Sequence, residues 1–179
     1  MLDHSPSRWL SEEMKDMLYS LFAVLLMVGC GQEDKNGLYT EYYDNGQKSV
    51  EETYKDDKLD GNVTWWHPNG NKKWERHYKE GKLDGPSTRW HKNGQKGLEE
   101  NFKEGKLDGL QTGWYENGQK RGEGTFVGGK LMAAVEWTPN GEKCPETNLK
   151  DGNGTRVFYH DDGTEYNRET YKDGKLDSD

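Results

Sequence analysis

The sequence predicts an all-β fold, an elongated antiparallel β-meander of about six β-hairpin repeats, preceded by an N-terminal helical signal segment. Three observations predict the meander: a turn dipeptide recurring at a fixed step, an aromatic column before it, and a leucine column after a second turn. The dipeptides stand 24 residues apart in the first four repeats, then 23 and 22 residues apart. They are Asn45-Gly46, Asn69-Gly70, Asn93-Gly94, Asn117-Gly118, Asn140-Gly141 and Asp162-Gly163. Such a period indicates a repeat protein whose units stack on their neighbours.

Each repeat is predicted to contain two short strands. The first strand carries an aromatic residue three positions before the turn and Thr or Val two positions earlier, so both lie on one face. The aromatic column is Tyr42, Trp66, Trp90, Trp114, Trp137 and Tyr159. Because Asn-Gly favours positive φ angles, we expect a type I′ turn between the strands. In-register recurrence favours a structural seam over a glycan platform for this column.

A second turn and a leucine column complete each repeat. The second turn reads Lys-Glu-Gly or Lys-Asp-Gly in most units, and Leu59, Leu83 and Leu107 follow it in the first units. The predicted units are residues 37–60, 61–84, 85–108, 109–132, 133–153 and 154–177. The fifth unit is shorter and contains Pro139, Cys144 and Pro145, so we expect a kink or break there.

The N-terminal segment predicts export. Residues 17–29 form an apolar run of 13 residues, which is shorter than the ~20 residues of a membrane-spanning helix and fits a signal-peptide hydrophobic region. Residues 26–30, LMVGC, resemble a bacterial lipobox. We therefore predict a signal peptide over residues 1–30, with Met14 as an alternative start, lipidation of Cys30, and a polar tether over residues 31–36. The alternatives are a non-lipidated signal or a buried helix.

These features predict a location and a set of partners. Lipidation of Cys30 implies a membrane anchor at the bacterial cell envelope, on the outer membrane or periplasmic face, whereas a chain without a signal would be cytoplasmic. The formal net charge of −8 repels phosphate backbones, so nucleic acid is not an expected partner. The uncapped final unit leaves an edge strand for end-to-end self-association.

No catalytic, cofactor or metal site is predicted. The glutamate column, which includes Glu51 and Glu75, repeats in nearly every unit, which is typical of a charge ladder rather than an active site. His67 and His91 are one repeat apart, roughly 10 Å, too far for an easy two-histidine site. Cys30 and Cys144 do not form a disulfide framework. We therefore expect a protein that is not an enzyme.

Partner contacts are expected at aromatic residues outside the regular columns. Trp65, Trp74 and Tyr115 recur less regularly than the seam residues, so the repeat itself does not demand them. Aromatic side chains of this kind are common at binding surfaces.

The repeat resembles a known family. Residues 85–108, GPSTRWHKNGQKGLEENFKEGKLD, resemble the MORN-repeat variant found in bacterial YwqK-type antitoxin proteins, and the resemblance extends over residues 37–177. It implies a β-hairpin array with a binding role. The leading expectation is an envelope-associated repeat protein that mediates protein–protein binding or scaffolding. A YwqK-like antitoxin or immunity protein of a toxin–antitoxin module, and a carbohydrate-binding module, remain as alternatives.

Overall fold

A computed structural model describes residues 34–177, and within them the chain forms thirteen β-strands and no helix. The all-β prediction is therefore confirmed. The predicted signal segment and Cys30 lie outside the described residues. In the described part of the chain, no helix has the length and apolarity needed to cross a membrane. The strands are β1 Gly37–Tyr42, β2 Lys48–Lys55, β3 Lys58–Trp66, β4 Lys72–Lys79, β5 Lys82–Trp90, β6 Lys96–Lys103, β7 Lys106–Leu107, β8 Gly109–Trp114, β9 Lys120–Val127, β10 Lys130–Glu136, β11 Gly154–Tyr159, β12 Glu165–Lys172 and β13 Lys175–Leu176.

The strands form an antiparallel meander, as predicted. The first ten make one sheet in which each strand pairs with the next along the chain, except that β7 pairs only with β6 and β8 continues the sheet beside it. The register places equivalent residues of successive repeats on either side of one residue in the strand between them. Thr64, for example, lies opposite Glu51 on one side and Glu75 on the other.

The meander breaks in the fifth repeat, where the sequence predicts it. Strands β11, β12 and β13 form a separate sheet, so the strands are not one continuous sheet. Residues 137–153 contribute only two isolated bridges, Trp137 to Lys143 and Lys150 to Asn153. Pro139 and Pro145 lie in this stretch and have no backbone N–H to donate to a ladder.

The predicted turn type at Asn-Gly is wrong. Gly46 has a φ of 80°, but no asparagine occurs among the described non-glycine residues with positive φ, and a type I′ turn needs two such residues. Gly46 N donates to Tyr43 O at 2.9 Å, and Tyr43 N donates to Gln47 O at 2.8 Å. This pattern fits a type I turn that ends in a glycine bulge, a common three-residue hairpin loop.

The type I′ turns lie at the other end of the hairpins. Glu80 and Gly81 have φ angles of 49° and 79°, and Glu104 and Gly105 have 51° and 81°. Two consecutive positive φ angles match the right-handed twist of the paired strands. In the first repeat, Asp56 and Asp57 take these positions with φ angles of 49° and 62°.

Hydrogen bonds between successive turns explain the turn sequence. At the glycine-bulge end, Asn45 Nδ2 donates to Pro68 O at 2.8 Å, and Asn69 Nδ2 donates to Lys92 O at 3.0 Å in the next repeat. Asn93 and Asn117 donate in the same way to Glu116 O and Pro139 O. Asparagine therefore stacks each turn on the following one.

The Leu-Asp pair has the corresponding role at the type I′ end. Gly105 N donates to Leu83 O at 2.7 Å, and Glu104 N donates to Asp84 Oδ2 at 3.3 Å. The equivalent aspartates Asp60 and Asp108 accept from Glu80 N and Gly128 N. Hydrogen bonds between residues about one repeat apart therefore stack the turns at both ends of the hairpins.

The aromatic column lies on one sheet face, named here the lysine–tryptophan face, and holds adjacent repeats together. Lys48 Nζ lies 5.5 Å from the Trp66 ring centroid, and Lys72 Nζ lies 5.4 Å from that of Trp90, each reaching into the next repeat. Lys48 also pairs with Glu51 at 2.5 Å. The same lysine–glutamate pair recurs at Lys72–Glu75, Lys96–Glu99 and Lys120–Glu123. The basic, acidic and aromatic columns therefore form one structural lattice.

Candidate binding surface

The opposite face of the large sheet departs from the repeat. Trp65 lies directly opposite Trp74, Trp74 opposite Arg89, and Arg89 opposite Leu98. Gly113 and Gly122 continue this row across β8 and β9. Because side chains alternate along a strand, the row lies away from the lysine–tryptophan face. We name five residues on this face the tryptophan–arginine strip. They are Trp65, Trp74, Arg76, Arg89 and Arg121.

Cation–π contacts fix the centre of the strip. Arg76 Cζ lies 4.1 Å from the Trp74 ring centroid and 5.9 Å from that of Trp65. Arg89 Cζ lies 5.8 Å from the Trp74 centroid on the neighbouring strand. All four side chains are half-buried. A guanidinium held over a tryptophan ring is attracted by the ring quadrupole, and its planar edge stays available for hydrogen bonds.

Glycines make room for long side chains at the far end of the row. A Cβ atom added at Gly113 would lie 3.5 Å from the Arg121 guanidinium, so Arg121 extends over β8. A Cβ atom at Gly122 would collide with the Glu136 carboxylate. The change from tryptophan to glycine along one row therefore makes space for charged groups.

The strip carries three arginines although the chain as a whole is acidic. Among the described residues, none of the guanidinium groups of Arg76, Arg89 and Arg121 forms an ion pair. Arg76 Nε is buried without a hydrogen-bond partner. Burial lowers the pKa of Arg89, and the nearby Arg121 lowers it further, while Glu100 opposes both effects. Glu100 itself accepts a 2.8 Å hydrogen bond from Gln111 Nε2.

The structure brings together two of the three aromatic residues expected to contact a partner. Trp65 and Trp74 form the cross-strand pair of the strip. Tyr115 is only 3% exposed, and its hydroxyl donates to Trp137 O at 2.7 Å. Burial raises the pKa of Tyr115 to about 12. Tyr115 therefore stabilises the stacking of repeats, and the structure does not support its expected role as a surface contact.

His67 and His91 occupy the position equivalent to Tyr43 and Tyr115, two residues before the turn asparagine. Tyr43 hydroxyl donates to Trp66 O at 2.7 Å, and His91 Nε2 lies 3.0 Å from Trp114 O. His67 occupies the equivalent place, but its Nε2 is buried without a partner. Within residues 34–177, no group of three His, Cys, Asp or Glu side chains is arranged to hold a metal ion.

A cleft of about 610 Å³ lies at the Arg121 end of the strip. The residues that line it are Arg121, Tyr159, His160, Asp161, Asp162 and Tyr166. Cys144 is free and 1% exposed, with Sγ 3.0 Å from Tyr159 Oη. Burial raises the pKa of Cys144, but hydrogen bonds involving Tyr159 and Thr147 together bring it below its usual value. A buried thiol of this kind is a poor nucleophile for external reagents.

The three arginines were not identified from the sequence. Their signal lies in the register, because Trp74 opposite Arg89 becomes visible only when neighbouring hairpins are paired residue by residue. Comparison of the sequence at a 24-residue step aligns only residues that hold the same position in each repeat. The strip combines residues that hold different positions in neighbouring strands, so that comparison misses it.

The meander and its strip define a class, an antiparallel repeat sheet with one regular structural face and one irregular face that carries the strip. Within that class, three segments match the model of the MORN repeat variant, namely residues 35–56, 59–82 and 107–127. The chain thus carries this repeat at three positions, and each match covers one hairpin, β1–β2, β3–β4 and β8–β9. A comparison with curated proteins found no match.

Proposed function

We propose that this chain is a non-enzymatic repeat protein that binds another protein through the tryptophan–arginine strip. The observation that carries the proposal is the cross-strand pair Trp65–Trp74 with Arg76 stacked on it. Tryptophan and arginine are the residues most enriched in the energetic centres of protein interfaces. The turn ladders and the lysine–tryptophan lattice do not use these side chains, so they remain available to a partner.

The geometry of Trp74 favours a protein partner over a glycan. A sugar ring would need an open aromatic face, whereas the Arg76 guanidinium lies 4.1 Å from the Trp74 centroid. The glutamate column supports the non-enzymatic part of the proposal. Glu51, Glu75, Glu99 and Glu123 each pair with a lysine of their own repeat. Carboxylates held in identical ion pairs do not form the unequal acid–base pair that catalysis requires.

The experiment is crosslinking of the native protein in its own cells, followed by identification of the captured protein. We expect Trp65→Ala/Trp74→Ala to lose the specific partner. Tyr42→Ala is the matched control, because Tyr42 is a 62% exposed aromatic residue on the lysine–tryptophan face. Equal capture by both variants would show that the strip is not the interface, and no reproducible partner in any sample would overturn the proposal.

The location of the protein is a further part of the proposal. A lipid on Cys30 would place the binding face at the bacterial cell envelope, and this residue precedes the described part of the chain. Metabolic labelling with palmitate tests the anchor: label that persists in Cys30→Ala would disprove it. A captured partner that proves to be a toxin retained in the cytoplasm would replace the envelope proposal by the antitoxin alternative.

A further inference from the structure

We propose that the segment of the partner that lies on the tryptophan–arginine strip is acidic. This inference rests on the protein-binding function proposed above and specifies the chemistry of the partner. Its carboxylates would bind the guanidinium groups of Arg76, Arg89 and Arg121, while its flanking apolar groups would contact Trp65 and Trp74.

The charge distribution supports an acidic occupant. On the lysine–tryptophan face, each of four lysines has a glutamate three residues away that neutralises it. On the strip face, three arginines lack an ion pair among the described residues, although the chain as a whole has a formal net charge of −8. Arg121 lowers the pKa of Arg89 more than Glu100 raises it, so Glu100 offsets the repulsion between the two arginines only in part. A carboxylate placed between the two would relieve it.

The arrangement of the arginines also fits an extended segment. Arg76 lies on β4, Arg89 on β5, and the Arg121 guanidinium extends over β8. Strands about 4.8 Å apart put the outer two guanidinium groups roughly 14 Å from each other, the length of about four extended residues. Arginine stacked on a ring is preorganised for bidentate contact with carboxylate, which lowers the entropy lost on binding.

The test uses a defined probe and the full chain. The probe is an eight-residue peptide of alternating glutamate and alanine, and its counterpart has glutamine in place of glutamate. Binding is measured by calorimetry and tryptophan fluorescence at low salt and at physiological salt. We expect the glutamate peptide to bind more tightly than the glutamine peptide, with an affinity that falls as salt is added.

The matched variants separate the strip from general charge. Arg89→Gln/Arg121→Gln should weaken binding of the glutamate peptide about tenfold, since each ion pair contributes a few-fold in affinity. Lys79→Gln/Lys103→Gln removes the same charge from the exposed ends of β4 and β6 and should change affinity less than about twofold. Circular dichroism checks that both variants keep the β-sheet spectrum.

Three outcomes would overturn the inference. The first is equal binding of both peptides, and the second is an equal effect of the arginine and lysine variants. The third is a dimer that forms at higher protein concentration in analytical ultracentrifugation and is abolished by Arg89→Gln/Arg121→Gln. The occupant of the strip would then be a second copy of this chain. If Trp65→Ala/Trp74→Ala loses the captured partner but the glutamate peptide does not bind, the protein-binding function stands and only its acidic specificity is wrong.

Discussion

The position that precedes the Asn-Gly turn by two residues bonds to the next repeat in three of the four regular repeats. Tyr43, His91 and Tyr115 each reach a backbone carbonyl of a tryptophan in the following repeat. The donor differs, but the acceptor is equivalent. His67 lacks this bond, since its Nε2 is buried without a partner. A buried polar atom without a hydrogen bond costs stability, so residue 67 is a weak point of the stack.

At this residue scale we predict that His67→Tyr stabilises the protein by about 1 kcal/mol, because the longer side chain supplies the hydroxyl that Tyr43 and Tyr115 use. The measurement is the urea midpoint of unfolding. His91→Tyr is the control: it exchanges one bonded donor for another and should leave the midpoint nearly unchanged. A His67→Tyr midpoint at or below that of the parent would contradict the assigned role of this position.

At the scale of the elements, two turns with the same pair of positive φ angles, Glu104-Gly105 and Asp151-Gly152, differ in what they demand of glycine. Gly105 has a φ of 81°, and a Cβ atom there would have no neighbour within 4 Å. Gly152 has a φ of 77°, and a Cβ atom there would lie 2.7 Å from the backbone nitrogen of Gly174. Gly174 N donates to Gly152 O at 2.8 Å, and Leu131 N donates to Gly174 O at 3.0 Å. Gly152 is therefore where the last hairpin docks on the fifth repeat.

We predict that Gly105→Ala and Gly152→Ala differ in cost although they share a backbone conformation. Gly105→Ala should destabilise by about 1 kcal/mol, the strain of a left-handed residue. Gly152→Ala should cost roughly 3 kcal/mol, because the new methyl group also displaces the backbone of the last turn. Thermal unfolding followed by circular dichroism measures both. Equal losses would mean that the docking of the two turns contributes little to stability.

The arrangement of strands and turns follows largely from the sequence, whereas the contacts between repeats do not. Strand pairing, the turn positions and the weak fifth repeat follow from local pattern, since a 24-residue step and two prolines are visible in the chain. The turn type at Asn45-Gly46 does not follow, because the dipeptide also fits a type I turn with a glycine bulge. The burial of Tyr115 and the row of Trp74 and Arg89 depend on the register between repeats. Such contacts arise between distant residues, and local propensity does not encode them.

At the scale of the whole described sheet system, one buried ion pair joins the two sheets. Arg156 Nε on β11 lies 2.5 Å from Glu136 Oε1 on β10, and Glu136 is 2% exposed. Gly122 provides the space above β9 that this carboxylate occupies. Burial raises the pKa of Glu136, and the Arg156 guanidinium opposes that rise. The pair therefore couples the packing of the sheets to the charge of one carboxyl group.

This coupling makes the stability of an Arg156 variant depend on pH. Arg156→Met leaves the Glu136 carboxylate buried without its cation, which should cost about 3–5 kcal/mol at pH 8. The loss of Arg156 raises the folded-state pKa of Glu136 further above its unfolded value. A raised carboxyl pKa gives stability that is fully present below the unfolded pKa and is lost as the pH rises through the folded pKa. We therefore expect a smaller deficit at pH 5 than at pH 8 in urea unfolding.

The control is the double variant Glu136→Gln/Arg156→Met, in which no titrating carboxyl remains at this position. Its stability relative to the parent should vary less between pH 5 and pH 8 than that of Arg156→Met, because the difference between the two variants isolates the proton uptake of Glu136. If the stability of both variants changed by the same amount between pH 5 and pH 8, a titrating group other than Glu136 would cause the pH dependence. The pair would then hold the sheets together only through its hydrogen bond and packing, and the pH sensitivity assigned to Glu136 would be wrong.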